Sequence, residues 1–330
     1  MNAKKTKKIV VLATGGTMAG LAADATQPQN YTAGQVAVAD LLQGVAHDGI
    51  ELLSEQVVQI DSKDMSFAVW QSLLARVSQW LAQDDVQGVV ITHGTDTLEE
   101  TAYFLNLTLK IKSTVVLVGA QRPPSAVSSD GPVNLLAAVR TAIDPKTRGL
   151  GVLVVLNDEI QAAREVTKVS TYRVNTFRTP DFGVLGQVDG DQVVIYRHPV
   201  RKHTVDTVFD LAGVTTLPRV DIVYAYAGAD DVAIEAYVAA GARGLVSAGL
   251  PPGIPPPLQS AAFERAVSKS VVVVQASRGG AGRVARRKYL RDQRIVASDN
   301  LNAQKCRILL MLALTVTQDP EVVQSYFDLY

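Results

Sequence analysis

The chain has 330 residues, with 32 Lys and Arg balanced by 32 Asp and Glu, and is 47% hydrophobic and 19% charged. That length accommodates two domains with sizeable cores, and the composition excludes a disordered tail, a collagen and a disulfide scaffold. Zero net charge argues against a dedicated nucleic-acid binder, whose phosphate contacts need a basic surplus; no run approaches the roughly 18 uninterrupted apolar residues of a membrane span.

The basic start, MNAKKTKK, leads into Ile9-Val10-Val11-Leu12-Ala13. It imitates an export signal, but its apolar part is too short and Gly15-Gly16-Thr17 follows where a cleavage site would stand. These residues read as a first strand, and the expected compartment is the cytoplasm, or the periplasm if a signal has been removed. Residues 9–13, 89–92, 115–119 and 150–156 are apolar without alternation, the pattern of strands buried on both faces. Helical patterns lie between them over Phe67–Leu81, 98–109 and 132–143. Pro132 stands where a helix begins and its missing N–H is harmless. The alternation predicts an α/β fold with a larger N-terminal, mostly parallel sheet covered by helices on both faces.

Residues 168–203 are more irregular and β-rich, with turn signals at Thr179-Pro180-Asp181 and Asp189-Gly190-Asp191. A second series follows, with strands at 222–226, 244–248 and 271–275 and helices at 231–242, 258–268, 300–317 and 320–330. Asp319 is placed to cap the last helix. The prolines of 251–257 forbid regular structure there. The domains are therefore expected at 1–204 and, smaller and also parallel, at 220–330, joined by 205–219.

Cys306 is the only cysteine, so no intrachain disulfide forms, and it reads as a helix packing residue. The histidines, His47, His93, His198 and His203, have no metal-ligand spacing; no metal or cofactor is expected. His93 is expected to anchor its loop through a hydrogen bond. The basic run 283–294 reads as a solvated face.

In open parallel sheets, ligands bind beyond the carboxyl ends of the strands. Two strands end in loops of glycine and hydroxyl residues: Thr14-Gly15-Gly16-Thr17, and Thr92-His93-Gly94-Thr95-Asp96-Thr97. Either alone is also a turn with helix-capping residues. Neither matches a phosphate-binding loop or a dinucleotide fingerprint, and no G-x-S-x-G elbow is present. Together they supply what amide hydrolysis needs. A threonine hydroxyl must be activated by a base, a lysine held by a carboxylate can serve, and backbone N–H groups of the Gly16–Thr17 and Gly94–Thr95 turns can face an oxyanion. The candidates are Thr17 and Thr95 as hydroxyls, Asp96, and Lys168.

With Ala13 to Gly20, Ile91 to Thr97, Glu99 to Phe104, Arg122-Pro123, Ser129 to Leu135, Val166-Thr167-Lys168, Lys202-His203-Thr204 and Leu309 to Thr315, the chain resembles the bacterial-type L-asparaginases, a group that includes the glutaminase-asparaginases. The resemblance implies a two-domain α/β homotetramer built of intimate dimers, without cofactor, that hydrolyses L-asparagine and secondarily L-glutamine. It implies Thr17 as the nucleophile forming an acyl-enzyme, with Tyr31 on a flap over residues 20–33 activating it. Thr95, Lys168 and Asp96 would form a second set, with Thr95 guiding water. The substrate would be held by Gly16, Ser62, Lys63, Gly94, Thr95 and Asp96, with Asp96 on its α-ammonium and Ser62 on its α-carboxylate. The sequence departs from the group at Lys63, commonly Gln or Glu, at Leu250-Pro251-Pro252-Gly253, and at Arg286-Arg287-Lys288, where an acidic residue often comes across the dimer. Those departures motivate a second reading: an amino-acid-binding or regulatory module on the same scaffold with little turnover.

Overall fold

The first strand, β1 (Lys7–Gly15), loses all solvent contact from Ile9 to Leu12, as an apolar run without alternation should when both faces are covered. The computed structural model describes residues 7–27, 30–42, 45, 49–190 and 192–330; His47, Asp191, the lysine-rich start before Lys7 and part of the flap lie outside them. The first compact unit spans Met1–Asp206 and the second Thr207–Tyr330.

After β1 come the hairpin strands β2 (Leu21–Ala22) and β3 (Tyr31–Thr32), then α1 (Val38–Leu41), β4 (Ile50–Ile60), α2 (Phe67–Leu81), β5 (Val86–Thr92), α3 (Leu98–Thr108), β6 (Thr114–Val118), α4 (Gly131–Ile143) and β7 (Val152–Leu156). Short strands β8 (Glu159–Ala162), β9 (Thr167–Lys168), β10 (Phe177–Arg178), β11 (Gly186–Val188) and β12 (Val193–Ile195) complete the unit. The main sheet runs β12-β11-β8-β7-β6-β5-β1-β4. Its half from β7 to β4 is parallel, and β8, β11 and β12 extend it antiparallel. One face of these strands, including Val11, Val90, Val116 and Val155, packs on Leu135, Ala138 and Val139 of α4.

The second unit is a parallel sheet of β13 (Val220–Tyr224), β14 (Gly244–Gly249), β15 (Val272–Ser277) and β16 (Val296–Ala297). Its helices are α5 (Val232–Ala239), α6 (Pro257–Ser268), α7 (Lys288–Asp292), α8 (Ala303–Ala313) and α9 (Pro320–Leu329). Cys306 is fully buried in α8, and Asp319 caps α9 by accepting from the Glu321 N–H at 3.1 Å. The proline cluster is a tight turn closed by a bridge from Leu250 to Ile254, and α6 starts within it at Pro257, a position that tolerates proline. Within the basic run, Arg283 pairs with Asp299, Arg286 with Glu321 and Lys288 with Asp292, so carboxylates already answer half of its charges. Among the described residues no helix is long and apolar enough to cross a membrane, and no three His, Cys, Asp or Glu side chains gather as a metal ion would require.

Candidate active site

Adjacent parallel strands deliver their following loops to the same edge of the sheet. Ala13 of β1 stands opposite Thr92 of β5, and Thr14 Oγ1 donates to the Thr92 carbonyl at 2.9 Å. The two loops then close on each other at their glycines. A Cβ on Gly16, which sits at φ +74°, would lie 2.4 Å from Gly94 Cα, and one on Gly94 would lie 2.6 Å from Ser62 Oγ. Only glycine allows that approach. It brings Thr17 and Thr95 to a cavity of about 590 Å³, lined also by Tyr31, Asp96, Gln121, Arg122, Lys168, Thr171 and Tyr172.

Each hydroxyl has its own partner. Thr17 Oγ1 and the Tyr31 hydroxyl are 2.5 Å apart, and either oxygen can donate. Tyr31 reaches it from β3, whose hairpin is fastened at several points. Gly34 N–H donates to the Gly16 carbonyl at 3.2 Å and Val36 N–H to the Ala19 carbonyl at 2.9 Å. On the other side Ala22 N–H donates to Ser125 Oγ at 2.8 Å and Val127 N–H to the Ala25 carbonyl at 3.0 Å. Burial raises the Tyr31 pKa above its ordinary value of 10.0; the Thr17 hydrogen bond opposes that, and the nearby Asp61 and Asp96 charges add to it. At neutral pH Tyr31 is therefore a phenol and not a phenolate.

Thr95 is served differently. Lys168, in β9, donates from Nζ to Thr95 Oγ1 at 2.8 Å and to Asp96 Oδ1 at 2.7 Å. The lysine side chain is 18% exposed while that of Asp96 is 63% exposed, so the carboxylate keeps surface on which to meet a second cation. Beneath this loop the Trp70 indole N–H donates to Thr101 Oγ1 at 2.9 Å, and Thr101 Oγ1 is 2.9 Å from His93 Nε2. His93 Nδ1 is 2.7 Å from the Gly94 carbonyl. An indole N–H only donates and a carbonyl only accepts, so Thr101 must donate to Nε2 and Nδ1 must carry the proton. The imidazole is completely buried, and desolvation lowers its pKa to about 4. His93 is thus a neutral strut that orients the Gly94 peptide, the anchoring role expected of it.

The remaining sequence candidates are not among the residues that line the cavity. Ser62 is 3% exposed; its Oγ accepts from the Asp96 N–H at 3.3 Å and its carbonyl from Thr97 Oγ1 at 2.8 Å. Lys63 is turned away, its ammonium 3.1 Å from both Asp61 Oδ2 and Asp64 Oδ2. The Gly16 N–H donates to the Ile60 carbonyl at 3.0 Å. That corrects the expectation that it faces an oxyanion.

Sequence reasoning missed Gln121, Thr171 and Tyr172, and gave Arg122 no role beyond its motif. The missed signal was Asp130. Although it precedes α4, its side chain does not cap that helix. It accepts instead from the N–H groups of Gln121, at 3.1 and 3.0 Å, and of Arg122, at 2.9 Å. The Ser-Asp-Gly-Pro stretch therefore shapes the loop after β6 as a third wall of the site.

Two threonine hydroxyls, each hydrogen-bonded to a titratable side chain, line one cavity, an arrangement that nucleophilic hydroxyl chemistry can use. Comparison with known proteins is specific. Residues 8–201 match the family "Asparaginase, N-terminal", and residues 219–327 match the "Glutaminase/Asparaginase C-terminal domain". L-asparaginase 2 of Bacillus subtilis is 43% identical over 99% of this chain and 88% of its own length, and L-asparaginase 2 of Escherichia coli is 44% identical over 98% and 93%. The crystal structure of a "Probable Cytoplasmic L-asparaginase" from Campylobacter jejuni superposes with a TM-score of 0.95 at 40% identity, covering 98% of this chain and all of that one. The chain belongs to the asparaginase family.

Proposed function

We propose that the protein is an L-asparaginase, hydrolysing the side-chain amide of L-asparagine to L-aspartate and ammonia, with L-glutamine as a secondary substrate. The observation that carries this reading is the pairing of Thr17 with Tyr31 and of Thr95 with Lys168 and Asp96 around one cavity. Thr17 Oγ attacks the amide carbon while its proton passes through Tyr31 to the leaving nitrogen. The C–N bond breaks, ammonia departs, and an acyl ester on Thr17 remains. Thr95 then orients a water molecule, Lys168 and Asp96 draw off its proton, and attack on the ester releases L-aspartate and returns the proton to Thr17.

Asp96 holds the α-ammonium on its exposed carboxylate. Ser62 holds the α-carboxylate after the Asp96 loop yields its hydroxyl, and the Gly94 peptide supports that loop. Lys63, engaged by Asp61 and Asp64, does not repel the ammonium. The flap over 20–33 excludes water during acyl transfer. Residues 1–204 carry the chemistry and 205–219 lead to the smaller domain, in a cytoplasmic homotetramer of intimate dimers. The test is steady-state ammonia release with L-asparagine and L-glutamine, using Thr17→Ala as the blank. Release that vanishes in the blank is the expected result, and equal release from both proteins would overturn the assignment.

A further inference from the structure

One residue of the cavity wall carries a buried polar atom with no partner. Gln121 lines the cavity beside Thr17 and Thr95, and its Nε2 is buried without any hydrogen-bond acceptor. A buried amide donor left unpaired is costly, and such groups in native proteins call for an explanation. The position is not loosely held. Asp130 grips the Gln121 and Arg122 N–H groups. Asn134 ties the same loop by donating to the Gly119 carbonyl at 3.0 Å and to Asp130 Oδ2 at 3.2 Å. With its backbone clamped at these points, the side chain starts from a fixed place.

That loop adjoins the reacting hydroxyls. A Cβ on Gly119 would lie 2.9 Å from Thr95 Cγ2, and one on Gly131 would lie 3.6 Å from both Ala120 Cβ and Met18 Cγ, next to Thr17. Ser62 instead follows β4, on the far side of β1 and β5 from β6. A substrate held at Ser62 and Asp96 with its carboxamide between the two threonines therefore ends at the β6 loop.

We infer that Gln121 is a substrate-recognition residue: when an amino acid with a side-chain amide binds, the Gln121 side chain turns so that Nε2 leaves its buried position and donates to the carboxamide oxygen, the acceptor it otherwise lacks. The inference rests on the hydrolase reading of this cavity. It predicts an unusual pair of effects, because removing an unsatisfied donor relieves the free protein while weakening the complex.

In Gln121→Met, which fills similar volume without a donor, kcat/KM for L-asparagine should fall fivefold or more, mainly through KM. The melting temperature should be equal to or above that of the wild type. Gln121→Glu, which replaces the donor with an acceptor, should lose at least as much. A Gln121→Met protein within fivefold of wild type overturns the inference. So does one that loses activity only with a lowered melting temperature while folded Gln121→Glu keeps the wild-type value. If the wild type releases ammonia from neither amide, the hydrolase reading has failed, and calorimetric titration with L-aspartate decides the role of Gln121. Fivefold weaker binding in Gln121→Met then supports recognition; a smaller change, or no binding by the wild type, overturns it.

Discussion

The Thr17 and Thr95 loops have almost the same local sequence, Gly-Thr at the end of a buried parallel strand, yet rest on opposite kinds of support. Thr17 takes its partner from a short hairpin whose residues 21–27 are largely exposed and which is pinned to its surroundings by single hydrogen bonds. Thr95 sits beside a buried chain from Trp70 through Thr101 to His93 and takes its partner from an ion pair. The difference separates two demands. In the proposed mechanism the attacking hydroxyl is served by a largely exposed surface hairpin, whereas the hydroxyl that would guide water is backed by buried groups, which are the last to move in local unfolding.

The sharpest way to break this comparison is to perturb each half and see which property fails. Tyr31→Phe should lower kcat about 100-fold, the lower end of what a positioned proton-transfer group contributes, and leave unfolding free energy within about 1 kcal/mol. A loss of several kcal/mol, measured by chemical denaturation, would mean that the hairpin is structural.

The Thr95 half should fail in stability instead. His93 has a folded pKa of about 4 against an ordinary 6.5, so as pH falls the unfolded chain binds the proton first. Its contribution is complete above pH 6.5 and is lost between 6.5 and about 4, by about 3 kcal/mol in all. His93→Gln should flatten that part of the stability profile; an unchanged acid limb would contradict the neutral strut.

The smallest effect tests the edge of the site. Lys63→Gln should change KM for L-asparagine less than about threefold, because the ammonium it removes is exposed and bound to two carboxylates. A larger fall in KM would show that Lys63 repels substrate.

Much of the framework was legible because buried parallel strands write themselves as uninterrupted apolar runs: the expected 89–92 and 115–119 lie on β5 and β6. Strand β4 was not legible. Its sequence, Ile50 to Ile60, mixes Glu and Gln with aliphatics because it is the sheet's edge and is only half covered. Since β4 leads into Ser62, the position of that serine against Gly94 could not be read either. The two glycine-threonine loops were visible as motifs, and Tyr31 came from family resemblance. Gln121 was missed because its signal lay in Asp130, nine residues away, which forgoes a helix cap to hold the loop.

The division of labour between the two threonines is tested most directly by a near-isosteric change at the water-positioning one. Thr95→Val should still acylate, so mixing it with excess L-asparagine should release ammonia in a burst near one equivalent per chain and then stall. Mass spectrometry of the quenched protein should find the acyl group on Thr17. No burst, or an acyl group absent from Thr17, would contradict the assignment of nucleophile and water guide.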